Sequence, residues 1–138
     1  MDWQKLVDKL ESETLSKQDI KDLPRLSKLL NLKYQVNSTG KLEDIIDYID
    51  RIDHKPNLNW IDTSKLVDMN CLFKDKINFN GDISEWDVSN VKNMSYMFTG
   101  CRQFNQDISN WNVDKVRYTQ FIFYNCPIKD EYKPNLKI

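Results

Sequence analysis

Alanine is absent from the 138 residues, and glycine and histidine are scarce, with three glycines and one histidine. The missing alanine fits the codon usage of an AT-rich genome and carries no mechanism. With only Gly40, Gly81 and Gly100, no phosphate-cradling loop of the P-loop or dinucleotide type can be written. His54 stands alone, without a second histidine or a cysteine pair, so no metal is implied. No Gly-x-Ser-x-Gly or His-Glu-x-x-His pattern occurs, so the expectation is a protein that is not an enzyme and needs no cofactor or small-molecule substrate. The three cysteines, Cys71, Cys101 and Cys126, form no CxxC pair. They read as buried thiols in a reducing compartment. No run approaches the roughly 18 apolar residues of a membrane span. The opening Met1-Asp2-Trp3-Gln4-Lys5 is charged where a secretory leader is apolar, so the expected location is cytoplasmic, in a microbe or in a host cell. Charge of one sign is lacking as well: 20 Lys and Arg face 21 Asp and Glu, which removes the simplest argument for a nucleic-acid or anionic-membrane partner.

What is present divides into two textures. Trp3, Leu6, Val7 and Leu10 form one helical stripe. Ser16 and Asp19 read as a capping box for a second helix, with Ile20, Leu23, Leu26, Leu29 and Leu30 on its apolar face. Pro24 predicts a break or a fresh start inside it. After a capped loop at Asn37–Gly40, Leu42, Ile45, Ile46, Ile49 and Ile52 predict a third helix. His54-Lys55-Pro56-Asn57 is the most linker-like stretch. The expected units are therefore a helical cap domain over 1–54, a repeat unit over 58–128 and a tail over 129–138.

The repeat is explicit. Phe79-Asn80-Gly81-Asp82-Ile83-Ser84-Glu85-Trp86-Asp87-Val88 returns as Phe104-Asn105-Gln106-Asp107-Ile108-Ser109-Asn110-Trp111-Asn112-Val113. Nine positions are identical between Phe79–Phe98 and Phe104–Phe123, too many for coincidence at such a fixed spacing. The same register pairs Met69 with Met94, Phe73 with Phe98, and Cys101 with Cys126. A unit of this length cannot bury its apolar side alone, so equivalent residues should stack in ladders. The ladders expected are Trp60/Trp86/Trp111, Phe73/Phe98/Phe123, Phe79/Phe104, Ile83/Ile108 and Cys101/Cys126. The recurring Asp82/Asp107, Ser84/Ser109 and Asn80/Asn105 suit turns that bond their own backbone.

The run Phe79 to Phe98, closed by Cys101, resembles the BspA-type bacterial surface-protein repeat, also known from mycoplasma proteins of the DUF285 kind, over residues 58–126. The resemblance implies a leucine-rich-repeat-like stack that binds other macromolecules and performs no chemistry. The fold expected is accordingly α+β: a small N-terminal helical bundle capping a short leucine-rich-repeat-like solenoid of about 2.5 coils. The last unit, with Lys115, Arg117, Tyr118, Thr119 and Gln120, departs from the pattern as a terminal repeat would. A shorter likeness, over 26–49, is to a SAP-type helical motif, a kind that often binds DNA. Residues 1–55 carry 10 basic and 11 acidic side chains, a balance that disfavours phosphate contacts.

The expected function is a non-enzymatic protein–protein interaction module, adaptor or inhibitor, that binds another protein stoichiometrically. Repeat surfaces acquire partners at positions that vary on a fixed frame, with Tyr and Arg as frequent anchors. Tyr96, Arg102, Arg117, Tyr118 and Tyr124 are the candidates. The alternative is a nucleic-acid-associated protein reading through Lys28, Lys33, Tyr34 and Lys41.

Overall fold

A computed structural model describes residues 2–137. Helix α1 spans Trp3–Glu11, started by the Asp2 carboxylate, which accepts from the Lys5 N–H at 2.8 Å. Helix α2 spans Lys17–Leu30. Its first turn is a reciprocal capping box: the Ser16 hydroxyl accepts from the Asp19 N–H, and the Asp19 carboxylate accepts from the Ser16 N–H. Asn31, left-handed at φ 53°, ends it. The break expected at Pro24 does not occur. Proline removes one N–H from the helix, but buried Ile20, Leu23 and Ser27 anchor the turns on either side, and both ends are capped. Helix α3 spans Thr39–Asp50, with Ser38 as its cap. Tyr34–Gln35 (β1) and Ile61–Asp62 (β2) pair in parallel, Tyr34 opposite Ile61 and Gln35 opposite Asp62. This small sheet ties the helical segment to the start of the repeats.

The fold class differs from the expected one. The described residues make a small α-rich fold with three α-helices, one 3-10 turn and an open two-stranded sheet, and the α+β helical bundle capping a leucine-rich-repeat-like solenoid is not formed. Among the described residues no strand recurs at the repeat spacing. From Thr63 onward the chain runs in turns, joined by isolated parallel bridges such as Asp68–Asn93 and Asn93–Tyr118. The reason lies in the backbone. Cys71, Tyr96 and Phe121 all have φ between 51° and 61°. Four residues further on, Asp75, Gly100 and Asn125 lie between 55° and 74°. Two left-handed residues per unit prevent the extended run that a strand requires.

Equivalent side chains nevertheless stack. The Phe73 and Phe98 rings lie 5.3 Å apart and 7° from parallel, Phe98 and Phe123 lie 5.6 Å apart, and Phe79 and Phe104 lie 6.1 Å apart. The Trp86 indole donates to the Leu58 carbonyl at 2.9 Å, and the Trp111 indole to the Ile83 carbonyl at 3.1 Å. The polar recurrences are turn devices. Asp82 accepts from the Ser84 N–H and hydroxyl at 3.0 and 2.7 Å, and Asp107 does the same with Ser109 at 3.0 and 2.6 Å.

One hydrophobic cluster runs from Leu6 in α1 to Ile128. The linker-like stretch is itself packed: Pro56 is buried, its carbonyl accepts from the Asp82 N–H at 2.8 Å, and the His54 carbonyl accepts from the Asn80 N–H at 2.7 Å. At the other end, Lys129 donates through its N–H to the Asn105 side chain, and Ile108 donates to the Tyr132 carbonyl, which lays the tail over part of the last unit. No helix of the described residues is long and apolar enough to cross a membrane.

Candidate protein-binding surface

Three columns of equivalent residues are exposed or half-exposed along the repeats. The first runs Asp68, Asn93, Tyr118, the second Cys71, Tyr96, Phe121, and the third Lys74, Thr99, Tyr124. In each, an aromatic residue stands at the last position. Tyr118, Phe121 and Tyr124 are 59%, 59% and 57% exposed, an unusual amount of aromatic surface to leave in water over seven residues.

The rings are held rather than loose. Tyr96 lies 5.6 Å from Phe121, tilted by 33°, and Phe121 meets Tyr124 edge-on at 5.7 Å. The Lys74 ammonium sits 5.5 Å above the Tyr96 ring, a cation–π contact. Thr99 donates its hydroxyl to the Phe121 carbonyl at 2.6 Å, which fixes the backbone between them. Lys74, Tyr96, Thr99, Phe121 and Tyr124 together line a shallow, largely apolar groove of about 370 Å³. Two-torsion aromatic side chains already locked by neighbours lose little rotamer freedom on contact with a partner.

The structure gathers some of the candidates and separates others. Tyr96 and Tyr124 meet in the groove. Tyr118 and Arg117 lie on the turn that leads into it, both exposed, with their N–H groups on the Lys92 carbonyl at 3.2 and 2.8 Å. Arg102 lines a different open depression, with Asn125, Cys126 and Pro127. The 25-residue register sets Phe121 against Tyr96 and Thr99 against Tyr124 as varying positions without marking Phe121 or Thr99 as an anchor, and Lys74 is not among the candidates. An apolar Phe121 reads as core by default, yet its alignment with Tyr96 already placed it in an outward column.

The four nucleic-acid candidates do not form one patch. Lys28 and Lys33 line a cavity of about 250 Å³ between the end of α2 and the first repeat, with Asn57, Asn59, Trp60 and Glu85. Tyr34 is half-buried, its ring edge-on to Trp60 at 6.4 Å. Lys41 lies elsewhere on α3, in a depression shared with Glu11, Glu13 and Asp44. Three neighbouring carboxylates make that a poor phosphate contact.

The recurring carboxylates are engaged by their own turns. Burial works to raise the Asp82 carboxyl, but the Ser84 hydrogen bonds outweigh it and hold the group below its usual range; Ser89 does the same for Asp87. Among the described residues no group of three or more His, Cys, Asp or Glu is placed to hold a metal ion.

Comparison with known proteins gives one assignment. A family model described as "Mycoplasma protein of unknown function, DUF285" matches residues 41–131, from the first turn of α3 to the 3-10 turn at Asp130–Tyr132. No curated protein and no solved structure matches the chain. The matched stretch is longer than the repeats themselves and takes in most of α3, the helix that abuts the first unit. With more than half of its length inside that match, the chain belongs to the DUF285 family.

Proposed function

We propose that this protein is a non-enzymatic interaction module that binds another protein stoichiometrically, as adaptor or inhibitor, through the outward face of its last repeat. The observation that carries this reading is the run of exposed aromatics, Tyr118, Phe121 and Tyr124, the last two of which line a preformed groove with Tyr96 and Lys74. Aromatic residues with a nearby cation are the side chains on which interface energy concentrates. Arg117 extends the surface along the same turn, while Arg102 lies apart from it, in the separate depression with Asn125, Cys126 and Pro127.

The test is affinity capture from nuclease-treated lysate with the wild-type chain and with a Phe121→Ala, Tyr124→Ala double variant. The reading expects a protein retained near one-to-one by the wild type and lost from the variant, while the two melt at the same temperature. A partner retained equally by both would remove this face from the proposal.

A further inference from the structure

The repeats are joined by one backbone pattern, used twice. The N–H groups of Met69, Cys71, Phe73 and Asp75 donate to the carbonyls of Asn93, Ser95, Met97 and Thr99 at 2.8–3.0 Å. One unit later, those of Met94, Tyr96, Phe98 and Gly100 donate to Tyr118, Gln120, Ile122 and Tyr124 at 2.8–2.9 Å. The next set in the series is Thr119, Phe121, Phe123 and Asn125. Their N–H groups find no acceptor among the described residues. The carbonyls of Thr119, Phe121 and Phe123, by contrast, already accept from Ile122, Tyr124 and Cys126. Among the described residues, the last unit therefore presents a row of four donors, two residues apart, along the segment that carries the groove residues Phe121 and Tyr124.

We infer that this edge receives a linear segment of another protein, which supplies four backbone carbonyls to Thr119, Phe121, Phe123 and Asn125 along the path that Asn93–Gly100 follows one unit earlier. The inference rests on the protein-binding reading above and names the partner's chemistry. Three observations define the segment.

First, a donor-only row cannot pair with its own copy, because each side would lack acceptors. The chain's opposite end, where the matching carbonyls begin, is occupied by α3. The Thr39 hydroxyl donates to the Asp68 carbonyl, Asp47 pairs with Lys76, and Glu43 and Asp47 face Cys71, Leu72 and Lys74 across one crevice. A second copy would have to displace that helix.

Second, the tail covers the inner side of the last unit, with the Lys133 ammonium 5.4 Å above the Phe123 ring. The outer side, where Phe121 and Asn125 are exposed, is left to a strip of chain.

Third, the edge is bent at Phe121 and Asn125, both left-handed. A segment that tracks it must take positive φ at two residues four apart, as Tyr96 and Gly100 do. Glycine, asparagine or aspartate at those places costs least. Lys115–Asn125 contains Lys115 and Arg117 and no acidic residue, so acidic flanks on the segment suit it.

The probe is a synthetic peptide of residues 87–102 with Cys101→Ser, added at millimolar concentration to the isotope-labelled full chain, with amide hydrogen exchange as the readout. Expected is slowing of about tenfold or more at the Thr119, Phe121, Phe123 and Asn125 amides, with Ile122 and Tyr124, already bonded, little changed. The same peptide carrying Gly100→Val should lose that protection. No slowing, equal slowing with the valine peptide, or protection that arises in the chain alone through self-association would each overturn the inference. The outcomes stay separable from the capture experiment. Capture that depends on Phe121 and Tyr124 without edge protection refutes the linear segment and leaves the surface reading standing. Protection without capture does the reverse.

Discussion

Gly100 stacks on Asp75, its equivalent one repeat earlier, so closely that a Cβ on the glycine would collide with the Asp75 side chain. Both residues are left-handed, at φ 74° and 61°, and Gly100 donates its N–H to the Tyr124 carbonyl at 2.8 Å. The single glycine in this column is thus required twice, for its conformation and for its lack of a side chain. Gly100→Ala is expected to destabilise the protein by about 1–3 kcal/mol, from the left-handed penalty plus the contact. Adding Asp75→Gly should relieve the contact and recover part of the loss, leaving the conformational share. Chemical denaturation of the two variants measures the division. Additive losses in the double variant would mean that the two residues do not press on one another.

The phenylalanine ladder sets a gradient along the stack. Phe98 is fully buried and touches the rings of Phe73, Phe104, Phe123 and Trp111 at 4.4–6.3 Å. Phe123, at the end, is half-buried beneath Lys133. Phe98→Ala is expected to cost about 3–5 kcal/mol and to threaten folding, because the cavity opens in the middle of the ladder. Phe123→Ala should cost roughly 1–2 kcal/mol, since much of its face already meets water. Equal losses at the two positions, read from denaturant midpoints, would deny that the middle of the ladder is the better-packed end.

These two columns mark how much was legible beforehand. The 25-residue register, the ladders of Phe73, Phe98 and Phe123, the Ser16 capping box and the three helices all follow from spacing, because burial and helix capping are written in residue type. The fold class was misread because left-handed conformation is not. Cys71, Tyr96, Phe121 and Asp75 are ordinary residues at positive φ, a conformation that residue type does not announce, and the chain there folds as successive turns. Pro24 misled for a related reason, as tertiary burial on both sides of it outweighs one missing helical hydrogen bond. Tyr96 and Tyr124 were found as varying aromatic positions. Phe121 varies against Tyr96 in the same register, but residue type alone cannot tell an exposed phenylalanine from a core one. The open donor row could not be read at all, being a property of where the stack stops.

Acid should loosen the protein through its turns and caps. The Asp19 carboxyl is held below its ordinary value of 3.8 first by the Ser16 N–H, at 2.9 Å, with Lys9 and the Ser16 hydroxyl adding to this against the opposing effect of burial. Asp87 and Asp107 are lowered by Ser89 and Ser109. A carboxyl whose pKa is lower folded than unfolded contributes stability above its unfolded value, and that contribution disappears as pH falls through the folded one. The denaturant midpoint should therefore be level from pH 5 upward, as far as these groups decide it, and decline below about pH 4. Asp19→Asn should lower the plateau and flatten part of the decline. A variant that keeps the full acid dependence would remove Asp19 from the account.

Cys101 is the buried one of the three cysteines, Cys71 and Cys126 being half-buried. Its side chain is fully buried, its thiol lies 2.9 Å from the Phe73 carbonyl, and burial pushes its pKa up to about 12. Burial also raises the half-buried Cys126. Alkylation needs the thiolate, so at pH 8 native Cys101 should resist iodoacetamide for as long as the fold stays closed. Unfolding in denaturant should expose all three cysteines at once. Mass spectrometry of peptides labelled over time reads the order directly. Because Cys101 sits between the two units that Phe73 and Phe98 join, its labelling rate reports the opening of the stack itself. Variants at Gly100 or Phe98 should speed it in proportion to their loss of stability. Labelling of Cys101 that is fast in the wild type, or indifferent to those variants, would show that the stack opens locally and independently of the rest of the core.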